Sequence, residues 1–416
     1  MTPCTITSSR CSRAIRKSTT EFVKAEEHSN APRASLARGA AGAAPHSPLL
    51  ARLVERIRER GAITFANYME TCLYDPEFGY YSGAIKRGRA DYFTSVDVSP
   101  IFGRLLARQL VDMWRIAGCP QPFTIVEAGA GTGRLAAHIL DFASEKLSEF
   151  YSALHYAAVE ISASRRALLD AALSQHIAAR RAATLAEIPA RISDGCILSN
   201  ELLDALPVHR VVMSADGLKE IFVDADCGRL IERELPPSSP KIAEYFDRQG
   251  VVLQAGQMAE VGLAACRWIA NVGRSLERGF VLSVDYGHAA SQLYDERHMN
   301  GTVLAYWRHR VSENFYRAPG EQDLTAHVNF TALDICGRAT GLELVGLTSQ
   351  TNFLFALARA NDFADIADDD SSEMEKTRAR LSFQNLINPE GMGEAFSVLV
   401  QRKGIETTPL SGLAEM

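Results

Sequence analysis

The sequence predicts an α/β fold built on a mostly parallel sheet. Three apolar stretches, at 123–127, 154–160 and 280–287, have the length and composition of buried strands. The first two are each followed by a stretch with helical periodicity, at 133–146 and 162–173. Strands that alternate with helices in this way form right-handed βαβ units, whose strands run parallel.

The chain before the first strand predicts a different organisation. Residues 1–48 are rich in Ser, Ala, Arg and Pro without sustained periodicity, which is typical of either a disordered tail or a targeting segment. Residues 49–118 predict a helical segment. Its first helix has apolar residues at helical spacing and ends at Gly61, and Thr64 is positioned to cap the second.

The stretch 208–276 interrupts the alternation. Short strand candidates at 208–213, 220–223 and 229–233 are joined by turns, which predicts an antiparallel insertion. We expect the main domain to comprise 119–207 and 277–404.

Two further stretches show little regular pattern. Residues 288–329 predict a long loop, and loops of that length in a compact domain are usually functional or disordered. Residues 405–416 predict a C-terminal tail.

Composition excludes several classes of protein. The 416 residues are 47% apolar, which allows a sizeable core, and a net charge of −6 argues against a nucleic-acid scaffold. The eight cysteines form no C-x-x-C pair and no H-E-x-x-H occurs, so we expect no metal. Apolar runs are too short to predict a membrane span.

The loop from Glu127 to Gly133 is the strongest indication of a ligand. Gly129, Gly131 and Gly133 alternate where a strand passes into a helix, which suits a backbone that turns sharply or lies against a ligand. The segment 131–136 also fits the dinucleotide pattern G-x-G-x-x-A, so a nicotinamide cofactor remains an alternative. Glu127 favours S-adenosylmethionine (SAM), since a carboxylate there would repel pyrophosphate and attract an ammonium group.

Two other acidic positions support a ligand at this edge of the sheet. Glu160 ends the second strand, where a carboxylate can accept both ribose hydroxyls of either cofactor. Glu201 and Asp204 follow the strand 195–200 at a predicted helix start, which would place them on one helix face. Paired carboxylates of this kind could hold a guanidinium or ammonium group, although acids also compensate a helix dipole.

The wider set of motifs resembles one family. Glu127 to Gly133 looks like motif I of class I SAM-dependent methyltransferases, and the other segments narrow the resemblance to the MidA / NDUFAF7-like family over residues 48–404. Those segments are Tyr80-Tyr81-Ser82, Asp91-Tyr92-Phe93-Thr94-Ser95, Phe102-Gly103, Asn200-Glu201-x-x-Asp204-Ala205-Leu206-Pro207-Val208-His209, Asp285-Tyr286-Gly287-His288, Gly301-Thr302 with Tyr306 and His309-Arg310, and 319–328.

The resemblance implies a class I methyltransferase Rossmann-like fold whose helical segment 49–118 caps the cofactor site. It implies SAM as cofactor and a protein arginine as methyl acceptor, with a complex I subunit or its bacterial counterpart as the implied protein substrate. Because the family has bacterial and mitochondrial members, the bacterial cytoplasm is expected, with the mitochondrial matrix as alternative. The oligomeric state is not indicated.

The resemblance and the chemistry together assign candidate roles. A catalytic role is expected for Asn200, Glu201, Asp204 and His209. Cofactor contacts are expected from the motif I residues, Glu160, Thr94 and Ser95. Substrate contacts are expected from Tyr80, Tyr81, Tyr306 and Asp285, and His327 is a second candidate proton relay. A SAM-binding assembly factor without catalysis, a nicotinamide-dependent oxidoreductase and methylation of a small molecule remain alternatives.

Overall fold

The computed structural model describes residues 47–82, 99–307, 310–367, 371–388, 392–406 and 409–414. The helices are α1 (Pro48–Arg60), α2 (Phe65–Tyr74), α3 (Ile101–Ile116), α4 (Arg134–Lys146), α5 (Ser148–Ala153), α6 (Ala163–Ala172), α7 (Ser174–Ala178), α8 (Lys241–Asp247), α9 (Leu263–Ser275), α10 (Ala290–Leu293), α11 (Phe330–Arg338), α12 (Gln350–Ala360), α13 (Glu373–Leu386) and α14 (Met392–Ala395). The strands are β1 (Ile63–Thr64), β2 (Phe123–Ala128), β3 (Leu154–Val159), β4 (Ala182–Leu185), β5 (Ile192–Asn200), β6 (His209–Ser214), β7 (Gly217–Asp226), β8 (Arg229–Leu235), β9 (Met258–Val261), β10 (Leu276–His288), β11 (Leu304–Trp307), β12 (Arg310–Ser312), β13 (Asp323–Thr325), β14 (Val328–Asn329), β15 (Glu343–Ser349) and β16 (Phe396–Lys403).

The central sheet has the strand order β15-β16-β10-β5-β2-β3-β4, and β14 pairs with the end of β10. The strands from β10 to β4 in this order are parallel, whereas β16 is antiparallel to both of its neighbours. The predicted α/β fold with a mostly parallel sheet is therefore confirmed. Because the carboxyl ends of parallel strands meet at one edge, the segments after β2, β3, β5 and β10 lie along the same edge.

Helices cover both faces of this sheet. The adjacent residues Ile125 and Val126 of β2 point to opposite faces, as in any strand, and belong to separate apolar clusters. One cluster includes residues of α3, α4 and α12, and the other includes residues of α9 and α11. Two of the expected boundaries are therefore displaced: α3, expected in the N-terminal segment, and α9, expected in the insertion, both pack on the central sheet.

The expected insertion forms a second, antiparallel sheet of β1, β7, β6, β9 and β8. Its first strand comes from the N-terminal segment, since Ile63 pairs with Val223 of β7. Helices α1 and α2 share an apolar cluster with Val223 and Leu230 of this sheet. Gly61 caps α1 with φ +85°, and the Thr64 side chain accepts a hydrogen bond from Asn67 N at the start of α2, as the sequence predicts.

Three expectations about irregular segments were wrong. Residues 288–329 contain α10, a 3-10 helix (Glu296–His298) and a three-stranded sheet in the order β12-β11-β13. The C-terminal segment packs on the core instead of extending as a tail, with Ile405 and Leu410 buried and Gly412 N donating to Gln109 Oε1 at 3.0 Å. The residues that follow β5 form turns and not a helix.

Within the ranges that the structure describes, no helix is both long and apolar enough to cross a membrane.

Candidate active site

The glycine loop after β2 is held in a conformation that only glycine adopts easily. Gly129, Gly131 and Gly133 have φ angles of +75°, +56° and +84°. A Cβ on Gly129 would lie 2.9 Å from Leu202 Cδ1, and one on Gly133 would lie 2.6 Å from Leu169 Cδ1. A Cβ on Gly131 would meet nothing nearer than the Gly129 carbonyl oxygen, at 3.9 Å. The loop is therefore packed against protein at both ends and open in the middle, which fits a ligand lying over Gly131.

Glu160 reaches this loop from the end of β3. Its Oε2 accepts a hydrogen bond from Gly131 N at 3.1 Å, and its Oε1 accepts one from Ser162 N at 2.8 Å. The carboxylate thus lies beside the open part of the loop, where it could accept ribose hydroxyls.

Glu127 lies at the end of β2 and is buried. The Tyr156 hydroxyl donates to its Oε2 at 2.8 Å, and burial raises the pKa of Glu127 to about 7. A buried carboxylate is costly to ionise unless a positive charge approaches it. An ammonium group of a ligand would therefore stabilise its ionised form.

The turn after β5 is anchored by Asp285. Asp285 Oδ2 accepts hydrogen bonds from Leu202 N at 3.0 Å and Leu203 N at 2.7 Å, and Asp285 Oδ1 accepts one from Tyr286 N. Glu201, the first residue of the turn, has a φ of +50°. Asp285 was expected to contact substrate, but its oxygens hold backbone N–H groups, so it positions the turn that carries Glu201 and Asp204.

Four acidic side chains come together where this turn meets β13. Asp204 and Asp323 are 5% and 0% exposed. The pKa of Asp204 is raised well above its ordinary value, by burial first and then by the charges of Asp285, Asp323 and Glu201. We call Glu201, Asp204, Asp285 and Asp323 the acidic pocket. A cation that entered it would relieve the repulsion among these carboxyl groups.

Tyrosines from α2 and the turn after it line the pocket. The Tyr81 hydroxyl donates to both carboxylate oxygens of Asp323, at 2.8 and 2.9 Å, and the Tyr81 ring stacks on Tyr74 with centroids 5.7 Å apart. Tyr80 meets Tyr81 edge-on at 5.1 Å. The Arg165 guanidinium carbon lies 4.9 Å from the centre of the Tyr81 ring, so a guanidinium is already accommodated at this aromatic surface.

Tyr74 connects the pocket to the glycine loop. Burial raises its pKa, and the charges of Asp323, Asp204 and Glu160 raise it further. Tyr74 is thus within electrostatic reach both of the carboxylate beside Gly131 and of the acidic pocket. The two halves of the candidate site are neighbours, since the side chain of Leu202, next to Glu201, packs against Gly129 of the loop.

The remaining predicted residues fall in different places. Tyr306 pairs with Asp323 across the β11–β13 ladder, which puts it beside the pocket. Asn200 Nδ2 donates to Glu201 Oε1 at 3.1 Å, while the buried Asn200 Oδ1 has no hydrogen-bond partner among the described residues.

His209 is held in the antiparallel sheet, where its Nδ1 lies 2.7 Å from Oε1 of the buried Glu220. Thr94 and Ser95 lie outside the described residues.

Sequence reasoning missed two contributors, Asp323 and Tyr74. Asp323 lies within the 319–328 segment that carries the family resemblance, but nothing in its spacing connects it to Asp204, which is more than a hundred residues away. Tyr74 stands at the end of a helix and gives no signal beyond its aromatic character.

The strand order of the central sheet, the glycine loop after β2 and Glu160 after β3 together define a class I SAM-dependent methyltransferase. A protein-family model described as "Putative S-adenosyl-L-methionine-dependent methyltransferase" matches residues 105–348. The chain belongs to this family, and its cofactor is SAM. The family resemblance and the cofactor inferred from the sequence are thereby confirmed, and the nicotinamide alternative has no comparable support.

Curated relatives and solved structures agree with this assignment. The chain is 28% identical over 381 residues to "Protein arginine methyltransferase NDUFAF7, mitochondrial" of Rattus norvegicus, with 84% of this chain and 83% of the relative covered. The Homo sapiens protein of the same name is 28% identical over 385 residues, covering 85% and 83%. A crystal structure of a Burkholderia thailandensis protein bound to S-adenosyl-homocysteine is 32% identical, covers 88% of this chain and 94% of that one, and has a TM-score of 0.79.

Proposed function

We propose that this methyltransferase transfers the methyl group of SAM to an arginine guanidinium of a protein. The acidic pocket beside the glycine loop carries the proposal. The names of the curated relatives, which describe protein arginine methyltransferases and match more than four fifths of this chain, support it.

The chemistry of the pocket suits a guanidinium better than a neutral acceptor. Arginine stays protonated at neutral pH and presents a planar set of donors that match carboxylates. Asp204 and Asp323 are buried acids whose proximity is unfavourable without a cation. Tyr81 offers an aromatic face against which Arg165 already lies. A guanidinium would favour the ionised form of these carboxyl groups, whereas a neutral acceptor would not.

The cofactor would be held by the residues of the adjacent half of the site. The backbone of Gly129, Gly131 and Gly133 would lie against it, Glu160 would accept the ribose hydroxyls, and Glu127 would attract the ammonium of its amino-acid tail. Cofactor contacts by Thr94 and Ser95 stay a prediction from the sequence.

Methyl transfer here requires orientation and the removal of one proton. SAM supplies a methyl group on a positively charged sulfur, which is already activated toward a nitrogen nucleophile. Glu201, whose Oε1 is fixed by Asn200, would orient the guanidinium and accept the proton that the nitrogen loses. Asp204 and Asp323 would hold the other guanidinium nitrogens, while Tyr80 and Tyr306 would flank the arginine side chain.

The acceptor protein is inferred from the family that the sequence motifs resemble. We infer a complex I subunit, or its bacterial counterpart, as substrate. The relatives are named as mitochondrial proteins. The matrix is therefore the location to test beside the bacterial cytoplasm, which was the first expectation from the sequence.

A labelling experiment tests the proposal. Lysate from a deletion strain would be incubated with the purified protein and SAM carrying a labelled methyl group, and labelled proteins would be hydrolysed and examined by mass spectrometry. We expect label in methylarginine. Label in another residue or in a small molecule would contradict the arginine assignment, and no label would favour a SAM-binding assembly factor.

Matched variants connect the label to the pocket. Asp323→Asn keeps the volume of the side chain but removes a buried negative charge, so we expect normal SAM affinity by calorimetry and a large loss of methyl transfer. Asp226→Asn makes the same change at an exposed position at the end of β7 and should leave transfer unchanged. Full transfer by Asp323→Asn would remove the acidic pocket from the mechanism.

A further inference from the structure

Three histidines from separate segments meet at the carboxyl edge of the central sheet. His288 is the last residue of β10, His298 ends the 3-10 helix, and His327 lies between β13 and β14. One nitrogen of each ring lies within 4.8 Å of the corresponding nitrogens of the other two. The ring centres are 5.6 to 6.1 Å apart. We call these residues the histidine cluster.

The backbone around the cluster is fixed by hydrogen bonds. The parallel ladder of β10 and β14 pairs Gly287 with Val328, the residues next to His288 and His327. His327 N donates to Thr302 Oγ1 at 3.0 Å, and the Thr302 hydroxyl donates to Glu260 Oε2 at 3.0 Å. The backbone positions of His288 and His327 are therefore fixed by the fold.

A backbone carbonyl orients the His298 ring. Its Nδ1 lies 3.0 Å from the carbonyl oxygen of Gln292, which can only accept a hydrogen bond. Nδ1 therefore donates to this oxygen, which leaves Nε2 as the nitrogen that would bind an ion. A histidine whose second nitrogen donates to a carbonyl is the usual arrangement of a metal ligand.

The charge around the cluster does not exclude a cation. The nearby Arg297 guanidinium is paired with Asp295, with Nη2 and Oδ2 2.6 Å apart.

We propose that His288, His298 and His327 bind one divalent transition-metal ion. Ideal Zn–N distances of about 2.0–2.1 Å put tetrahedral ligand nitrogens about 3.4 Å apart, so small side-chain rotations would close the cluster around the ion. Three imidazoles without a carboxylate select Zn²⁺, Ni²⁺ or Cu²⁺ over Mg²⁺ or Ca²⁺. Water or another ligand would complete the coordination.

The ion would join segments that build the acidic pocket. His288 comes three residues after Asp285 in β10, and His327 comes four residues after Asp323 in β13. An ion held between the two histidines would restrict the relative movement of the segments that carry these carboxylates. The sequence has no C-x-x-C pair and no H-E-x-x-H motif, and it therefore predicted no metal. The proposed site differs from that prediction.

A titration with Zn²⁺ tests the proposal without an activity measurement. The full chain would be prepared without a histidine tag and with Cys119→Ser and Cys227→Ser, because these two cysteines are free and exposed and thiolates are zinc ligands. Calorimetry after chelator treatment should show one ion per chain. His298→Ala and the similar-sized His298→Gln should each weaken binding at least about 100-fold, since even changes outside the ligand set cost 10–100-fold.

The matched control is His176→Ala. His176 is a buried histidine held by the Tyr151 hydroxyl at 2.7 Å and by Asp141 at 2.9 Å, outside the cluster. The His176→Ala variant should have the zinc affinity of the parent protein. Circular dichroism would verify the fold of each variant, and Co²⁺ in place of Zn²⁺ should give the strong visible absorption of a tetrahedral site. Absence of zinc binding by the parent protein, or the zinc affinity of the parent protein in both His298 variants, would overturn the proposal.

Discussion

Replacing Gly131 by valine should separate cofactor binding from folding. The residue has φ +56°, where a side chain other than glycine costs about 1–2 kcal/mol. A Cβ there would lie 3.9 Å from the Gly129 carbonyl oxygen, the nearest atom beyond the two neighbouring residues, so the Cβ itself adds no packing penalty to the backbone strain. Domain stabilities are about 5–15 kcal/mol, so the folded state should survive. The valine side chain would occupy the open surface where we expect SAM, and binding should be lost.

Gly250→Val is the matched control for this variant. Gly250 has φ +64°, and a Cβ there has nothing within 4 Å, so the substitution has a similar backbone cost in an open turn after α8. Urea denaturation should show both variants destabilised by about 1–2 kcal/mol. Calorimetry should show a loss of SAM affinity in Gly131→Val alone.

Two outcomes would refute this reasoning. Wild-type SAM affinity in Gly131→Val would show that the cofactor does not lie over the middle of the loop. Loss of affinity in Gly250→Val as well would show that SAM binding responds to general destabilisation.

Two further predictions concern buried carboxyl groups. Asp285→Asn replaces an oxygen acceptor that serves two backbone N–H groups. We therefore expect the free energy of unfolding to fall by about 1–3 kcal/mol and methyl transfer to become slower. An unchanged denaturation midpoint would contradict the anchoring role of Asp285. Glu127 has its pKa raised from 4.5 to about 7, so its protonated form is favoured in the fold. Its contribution to stability is full below pH 4.5 and is lost as the pH rises to 7, by about 3 kcal/mol. Glu127→Gln should abolish that loss of stability. If the free energy of unfolding without SAM changed with pH in the same way in the variant and the wild type, the pKa of Glu127 would be ordinary.

Local patterns predicted the parts of the fold that depend on neighbouring residues. The strand at 123–127, the three glycines and the helix after them follow from apolar runs and from backbone conformations that only glycine adopts easily. The Gly61 and Thr64 caps depend on groups within four residues along the chain. Glu160 could be placed at the loop because parallel strands end at the same edge of a sheet.

Contacts between distant segments could not be predicted in this way. Asp285 and Glu127 both follow an apolar run at the end of a strand. Asp285, however, lies opposite the turn after β5, where its side chain accepts hydrogen bonds from backbone N–H groups. His209 lies close in sequence to Asp204, yet its side chain contacts that of Glu220 in the antiparallel sheet. Asp204 and Asp323 become neighbours only when β13 packs beside that turn, which no local pattern specifies.

The sequence by itself predicted the fold class, because periodicity acts over a few residues, and the cofactor, through Glu127 and the family resemblance of several motifs. Tertiary structure alone decided which carboxyl groups share the acidic pocket and that three histidines meet at the carboxyl edge of the central sheet. Their proximity depends on strand register and on the packing of segments far apart in the chain. The energetic cost of burying like charges together exists only in the folded protein, and that cost indicates a cationic acceptor.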